Sequence, residues 1–184
     1  MIRKYISDDA KSIKAIAYND AEHSSQGSRG SLRAVSAIKC NYYIENEPEH
    51  CFVMTDEFDK PAGYILCSVD AKKLNALFPT YLAIVKEEDK KLYRTQKRLQ
   101  KKLAQISPDY PARISVSILP SFRGKGGAKA LINELVAHLK QIGVRGVYIV
   151  TENEDGVAFC ERMGFERILR LDKTHSVFGL SISL

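Results

Sequence analysis

Cysteine, histidine and long apolar runs are all scarce in this 184-residue chain. The four cysteines, Cys40, Cys51, Cys67 and Cys160, stand far apart with no C-x-x-C pair. That argues against a disulfide scaffold or a zinc ribbon and for reduced thiols. The four histidines, His23, His50, His138 and His175, include no H-x-x-x-H pair, so no built-in metal site is expected. No apolar run approaches the length of a membrane span. Near the N-terminus Ser7-Asp8-Asp9 interrupts the chain before an apolar signal core can form, so no secretory signal is expected and the expected location is cytoplasmic. There is neither an internal repeat nor a low-complexity linker. Apolar residues still make up 45%, enough for residues 1–184 to be read as a single domain with its own core.

What the chain has in excess is positive charge: 28 Lys and Arg against 22 Asp and Glu, a net +6. An anionic partner is implied, whether nucleic acid, membrane surface or a phosphorylated small molecule. The charge is not spread evenly. Lys86–Lys102 carries eight basic and three acidic residues, and Leu92, Leu99, Leu103 and Ile106 recur at helical spacing, so one amphipathic helix with a basic outer face is expected there. Such a run is by default a solvated face. A nucleic-acid-binding module is not supported on this ground alone, because no recognised DNA- or RNA-binding motif and no clustered aromatics accompany it.

The rest reads as alternating elements. Ile2–Ile6 is strand-like; Ser7 or Asp8 offers an N-cap for a helix to about Ala21; residues 23–31 are loop chemistry; Leu32–Lys39 is a second helical stretch. Cys51–Thr55 and Ala62–Ser68 flank a turn signal and predict an antiparallel hairpin. A helical insertion of about residues 70–107 follows, with Asp70 placed to cap its first helix. Arg113–Leu119 alternates as a strand, Gly126–Ile142 carries a wide apolar stripe, and Gly146–Thr151 is a further strand. Together these predict a βαβ unit with a parallel strand pair. A short helix from about Glu154 to Met163 and two closing strands, Phe165–Leu171 and Ser176–Ser183, complete an α/β pattern.

Between the strand and helix of that unit lies Arg123-Gly124-Lys125-Gly126-Gly127-Ala128. Unpaired N–H groups at a helix start, small residues and the helix dipole make such a turn suited to an anion, with Arg123, Lys125 and Lys129 adding full charge. It is not a Walker A loop, since no G-K-[ST] follows, nor G-x-G-x-x-G, since Lys129 holds the last glycine position. The plain alternative is a glycine-rich connection that only starts a helix.

The same turn resembles the [RQ]-x-x-G-x-[GA] signature of the GNAT acetyltransferase superfamily, through Arg123, Gly126 and Ala128. The preceding ISVSILPSF is similar to that family's central strand, and the stretch from Asn153 to Phe165 is similar to its N-x-x-[AG]-x-x-F-Y-x-x-x-G-F pattern. More narrowly, GYILCSVD, a helical insertion and DYPARISVSILP resemble bacterial acetyltransferases related to the C-terminal acetyltransferase-like domain of O-GlcNAcase. The resemblance implies a mixed, mainly antiparallel sheet flanked by helices, with the insertion between strands 3 and 4. It implies acetyl-CoA as co-substrate, no metal, and direct acetyl transfer to an amine by an N-acetyltransferase. Ile118 and Leu119 would offer backbone groups to the pantetheine arm, Arg123–Ala128 would hold the pyrophosphate, and Asn153 would face the pantetheine.

The likeness is incomplete. Cys160 stands where much of the family has the tyrosine that protonates the departing thiolate; it is either a substitute general acid or a small buried packing residue. Ser115 and Ser117 stand where the narrower group often has His and Asp, and unaided serines are not bases. Asp70 matches an acidic position of the narrower group but is explained equally well as an N-cap, and Glu22, His23 and Glu152 have no motif support, so no base is assigned. A catalytically degenerate acyl-CoA-binding domain acting as a sensor or interaction module therefore remains the alternative. Small-molecule and peptide amines both remain open as acceptors, and a homodimer is open as well.

Overall fold

Seven strands lie in one sheet in a computed structural model that describes residues 1–23, 30–106 and 108–184. They are β1 (Ile2–Lys4), β2 (Phe52–Thr55), β3 (Pro61–Ser68), β4 (Ala112–Ile118), β5 (Gly146–Thr151), β6 (Glu166–Arg170) and β7 (Ser176–Ser181), in the order β1-β2-β3-β4-β5-β7-β6. Every neighbouring pair is antiparallel except β4 and β5, which run parallel as the βαβ pattern requires. The helices are α1 (Ala10–His23), α2 (Leu32–Ser36), α3 (Tyr42–Asn46), α4 (Ala71–Glu88), α5 (Lys90–Leu103), α6 (Gly127–Gln141) and α7 (Glu154–Arg162). Among the described residues none is long and apolar enough to cross a membrane.

Alternation along the strands sorts the core into two faces. Tyr64 and Leu66 of β3 pack with α1–α4, while Ile65 and Cys67 turn to the other face, where Leu131, Leu135 and Leu139 of α6 cover them. A third cluster joins Leu99 and Leu103 of α5 to Tyr148, Leu171 and Val177, so the insertion packs across β5 and β7. A buried carboxylate ties this arrangement together. Glu47 accepts from the Tyr42 and Ser68 hydroxyls, both at 2.6 Å, and from the Val69 N–H at 2.7 Å, fixing the end of α3 against the exit of β3.

Three local expectations need correction. The start of α1 is organised by Asp9 rather than Ser7 or Asp8: Asp9 accepts from the Ile6 N–H and from Arg3, since a short 3-10 turn (Ser7–Asp9) intervenes. The basic segment is not one helix over 86–102. Asp89 adopts an extended backbone and caps α5 by accepting from the Lys91 and Leu92 N–H groups, so Lys86, Glu87 and Glu88 belong to α4. Helix α5 alone then carries seven basic and no acidic residues. The second helical stretch does not stop near Lys39 but passes through one π turn, Ala37–Asn41, into α3. Asp70 caps α4 as expected, by accepting from the Lys73 N–H at 2.9 Å. Most of the loop expected over 23–31 lies outside the described residues.

Candidate functional site

Strands β4 and β5 are paired only from Ala112↔Val147 to Ile114↔Ile149; past that point they part. The Leu119 N–H donates to the Ala62 carbonyl at 2.9 Å, and Leu119 lies next after the Gly63↔Ile118 pair of the β3–β4 register. Alternation along an antiparallel ladder then points the backbone groups of Ser115 and Ser117 at β3, and those of Val116 and Ile118 into the gap toward β5. The gap opens into a cleft of about 540 Å³, walled by Val116–Ile118 on one side and Ile149–Asn153 on the other, with α7 residues Ala158 and Phe159 behind.

The glycine turn forms one end of this cleft. Gly126 sits at φ 79° as the N-terminal residue before α6, with no side chain to cap the helix, so the first N–H groups of α6 face outward. Gly127 cannot carry a side chain without disturbance, because a Cβ there would lie 2.5 Å from Met54 Sδ. The flanking cations serve other contacts. Arg123 Nε donates to the Ile118 carbonyl at 3.0 Å and its terminal nitrogen pairs with Asp20 at 2.8 Å, which staples the turn to β4 and α1. Lys125 lies over the Phe122 ring, 5.5 Å from its centroid, while Lys129 lines the cleft.

Ile118, Arg123, Gly124, Gly126, Gly127, Ala128 and Asn153 all border the cleft. Asn153 also caps α7, its Oδ1 accepting from the Gly156 N–H at 2.8 Å. Leu119 is not among the cleft walls, because its N–H is engaged by β3 and its side chain packs against the α1–α4 core. Val116 lines the cleft instead and was missed by sequence reading. Cys160 is not brought to the cleft either: it is fully buried among the α6-side core residues, and burial pushes its thiol up to about 12. A thiol so placed is a packing group rather than a ready proton donor.

Glu152 is the one motif-free base candidate whose side chain is described, and it sits where two cavities meet. It pairs with Lys39 of the π turn at 3.6 Å. Burial alone would lower the Lys39 ammonium, but Glu152 and then Asp20 hold it above its ordinary value. Beyond that pair a second cavity of about 70 Å³ lies between β4 and α5, sharing Lys39, Val116, Ile149, Val150 and Glu152 with the cleft. At its rim His175 engages Asp172 at 2.9 Å. Burial would raise Asp172, yet the N–H and ring of His175, with the Thr174 N–H, hold it well below the usual carboxylate range.

The comparisons come to the same architecture. A family model described as acetyltransferase (GNAT) family matches residues 17–165. No curated protein matches the chain. Among solved structures, one described as SsHAT is 24% identical over 100% of this chain and 98% of that one, with a TM-score of 0.85. A GNAT superfamily phosphinothricin acetyltransferase from Sinorhizobium meliloti in complex with AcCoA is 16% identical, covering 99% and 88% of the two chains at a TM-score of 0.62. The NatC complex bound to Gag peptide and CoA includes a chain 17% identical, with 100% and 98% covered at a TM-score of 0.59.

Proposed function

The chain belongs to the GNAT acetyltransferase family, and we propose that within it the protein is an acetyl-CoA-dependent N-acetyltransferase working by direct transfer. The observation that carries the reading is the open wedge between β4 and β5, with an uncapped helix N-terminus at one end. The residues present fit acetyl-CoA. The first N–H groups of α6, with those of Gly124 and Gly126 in the turn, would hold the pyrophosphate. The Val116 carbonyl and the Ile118 N–H would pair with the amides of the pantetheine arm, the Ile118 carbonyl being held by Arg123, and Asn153 would face the arm across the wedge.

When bound, acetyl-CoA supplies an activated thioester. A neutral amine attacks its carbonyl, a C–N bond forms as the C–S bond breaks, the nitrogen loses a proton and the thiolate gains one. The Val116 N–H, which faces the wedge where the acyl carbon would lie, would be the donor to the developing oxyanion, and a donor of that kind typically lowers a barrier by about 2.7–4 kcal/mol. With Cys160 buried, water reaching the open cleft is the source of the thiolate's proton. Arg123 acts on the turn through Ile118 and Asp20 rather than through direct charge.

Titration calorimetry with acetyl-CoA, followed by thiol release in a panel of amines, tests the reading. Micromolar binding with acceptor-dependent release of CoA supports it. Tight binding without turnover on any amine would instead favour an acyl-CoA-binding module, a reading that the missing acid keeps specific.

A further inference from the structure

Arg113 begins the polar face of β4 and is only 8% exposed. Its guanidinium donates to Gln100 Oε1 at 2.9 Å and lies 5.4 Å from the centroid of the Phe78 ring. Neither partner carries a negative charge. Among the described residues no carboxylate is within ion-pair distance of it. Burial alone would lower its affinity for the proton, yet the Tyr43 and Tyr148 hydroxyls and the more distant Glu152 hold it raised, so the group is a permanent cation. A buried charge without a counter-ion is costly unless something neutralises it.

What faces this cation is the 70 Å³ cavity beneath α5. Two amides border the same space. Gln96 is 6% exposed, and the buried Nε2 of Gln100 has no hydrogen-bond partner. Among the described residues that line the cavity the only carboxylate, Glu152, is already paired with Lys39. Arginine, unpartnered amide donor and a small polar hole together make a built anion site, and the fork of a guanidinium matches a carboxylate best. The cavity joins the cleft at Val116, where the acyl carbon would lie.

Resting on the acetyl-transfer reading of the cleft, we propose that this cavity is the acceptor subsite and selects a small amine that carries a carboxylate, of the amino-acid class. The carboxylate sits against Arg113 and Gln100, and the amine points past Lys39 and Glu152 toward the thioester. A hole of about 70 Å³ suits a small acceptor rather than a bulky one. Helix α5 thus supplies the roof of the pocket through its buried face, not through its exposed lysines.

The test uses matched acceptors, glycine with methylamine and glycinamide, and β-alanine with ethylamine, on the wild-type protein and on Arg113→Gln and Gln100→Leu. Carboxylate-bearing amines are expected to show kcat/KM roughly tenfold or more above their partners, because a site built for a charged hydrogen bond rejects analogues lacking it. Both variants are expected to erase that advantage through KM while leaving acetyl-CoA affinity unchanged. Equal rates within each pair, an advantage that survives both variants, or a preference for a peptide with an acidic N-terminal residue overturns the proposal. Should no amine turn over, glycine is titrated into the CoA-loaded protein and the arginine Nε resonances are followed. A saturable shift of one resonance, absent in Arg113→Gln, supports the subsite; no shift overturns it. Failure to bind acetyl-CoA at all would overturn the cofactor reading of the cleft instead.

Discussion

The two sides of β4 offer polar groups of opposite kinds. On the cleft side the polar groups are backbone amides, those of Val116 and Ile118 and the start of α6, and the nearby cations mostly hold the turn in shape. On the insertion side they are side chains, Arg113 from the strand with Gln96 and Gln100 from α5, buried and incompletely matched. Backbone recognition needs only a local conformation, so small residues in a row suffice. Side-chain recognition needs distant segments to converge, and here it needed a fifth helix laid across the sheet. The first kind suits an invariant ligand such as a pyrophosphate; the second suits a ligand that differs from one relative to the next.

The contrast can be broken most sharply at Gly126. Gly126→Asp puts a carboxylate at the uncapped start of α6 and should weaken acetyl-CoA binding roughly a hundredfold by calorimetry. Gly126→Asn, which tolerates the left-handed backbone, should lose far less, so the difference reads charge rather than strain. A smaller effect is expected at Cys160. Cys160→Ala should cost about 1 kcal/mol in chemical denaturation while leaving kcat and its pH profile unmoved. A collapse of kcat with unchanged stability would make the thiol the acid after all. The smallest effect belongs to the outer face of α5. Replacing Lys90, Lys91, Arg94 and Lys101 by Gln should change acetyl-CoA affinity by no more than about threefold at physiological salt, since exposed charges are screened over a Debye length. A steep loss would join the helix surface to cofactor capture and blur the two sides.

The same division explains what could be read in advance. The hairpin β2–β3, the parallel pair β4–β5 and the glycine turn are all local patterns, and they stand where the sequence put them. The break at Asp89 was also local: an acid just ahead of a basic run is a capping signal, and the apolar spacing that marks α5 begins only at Leu92, after it. The π turn at Lys39 and its pairing with Glu152 had no such signal, since the partners are far apart in the chain. Arg113 left one clue. It shares a strand face with Ser115 and Ser117, and a polar face on a central strand buried on both sides has to line something. Leu119 lies outside the cleft walls for a reason of parity, because one step along an antiparallel ladder turns a free N–H into a bonded one.

That parity has a wider meaning for the wedge. Where β4 and β5 part, Val116 and Ile118 form a sheet edge in the middle of the molecule rather than at its margin. Outer edges invite other chains to add a strand. This one is flanked on both sides by its own sheet, so whatever lies along it meets hydrogen-bonding groups on one side and a packed wall on the other. The sheet is, in effect, one rung short there, and an extended amide-bearing chain such as the proposed pantetheine arm would complete it.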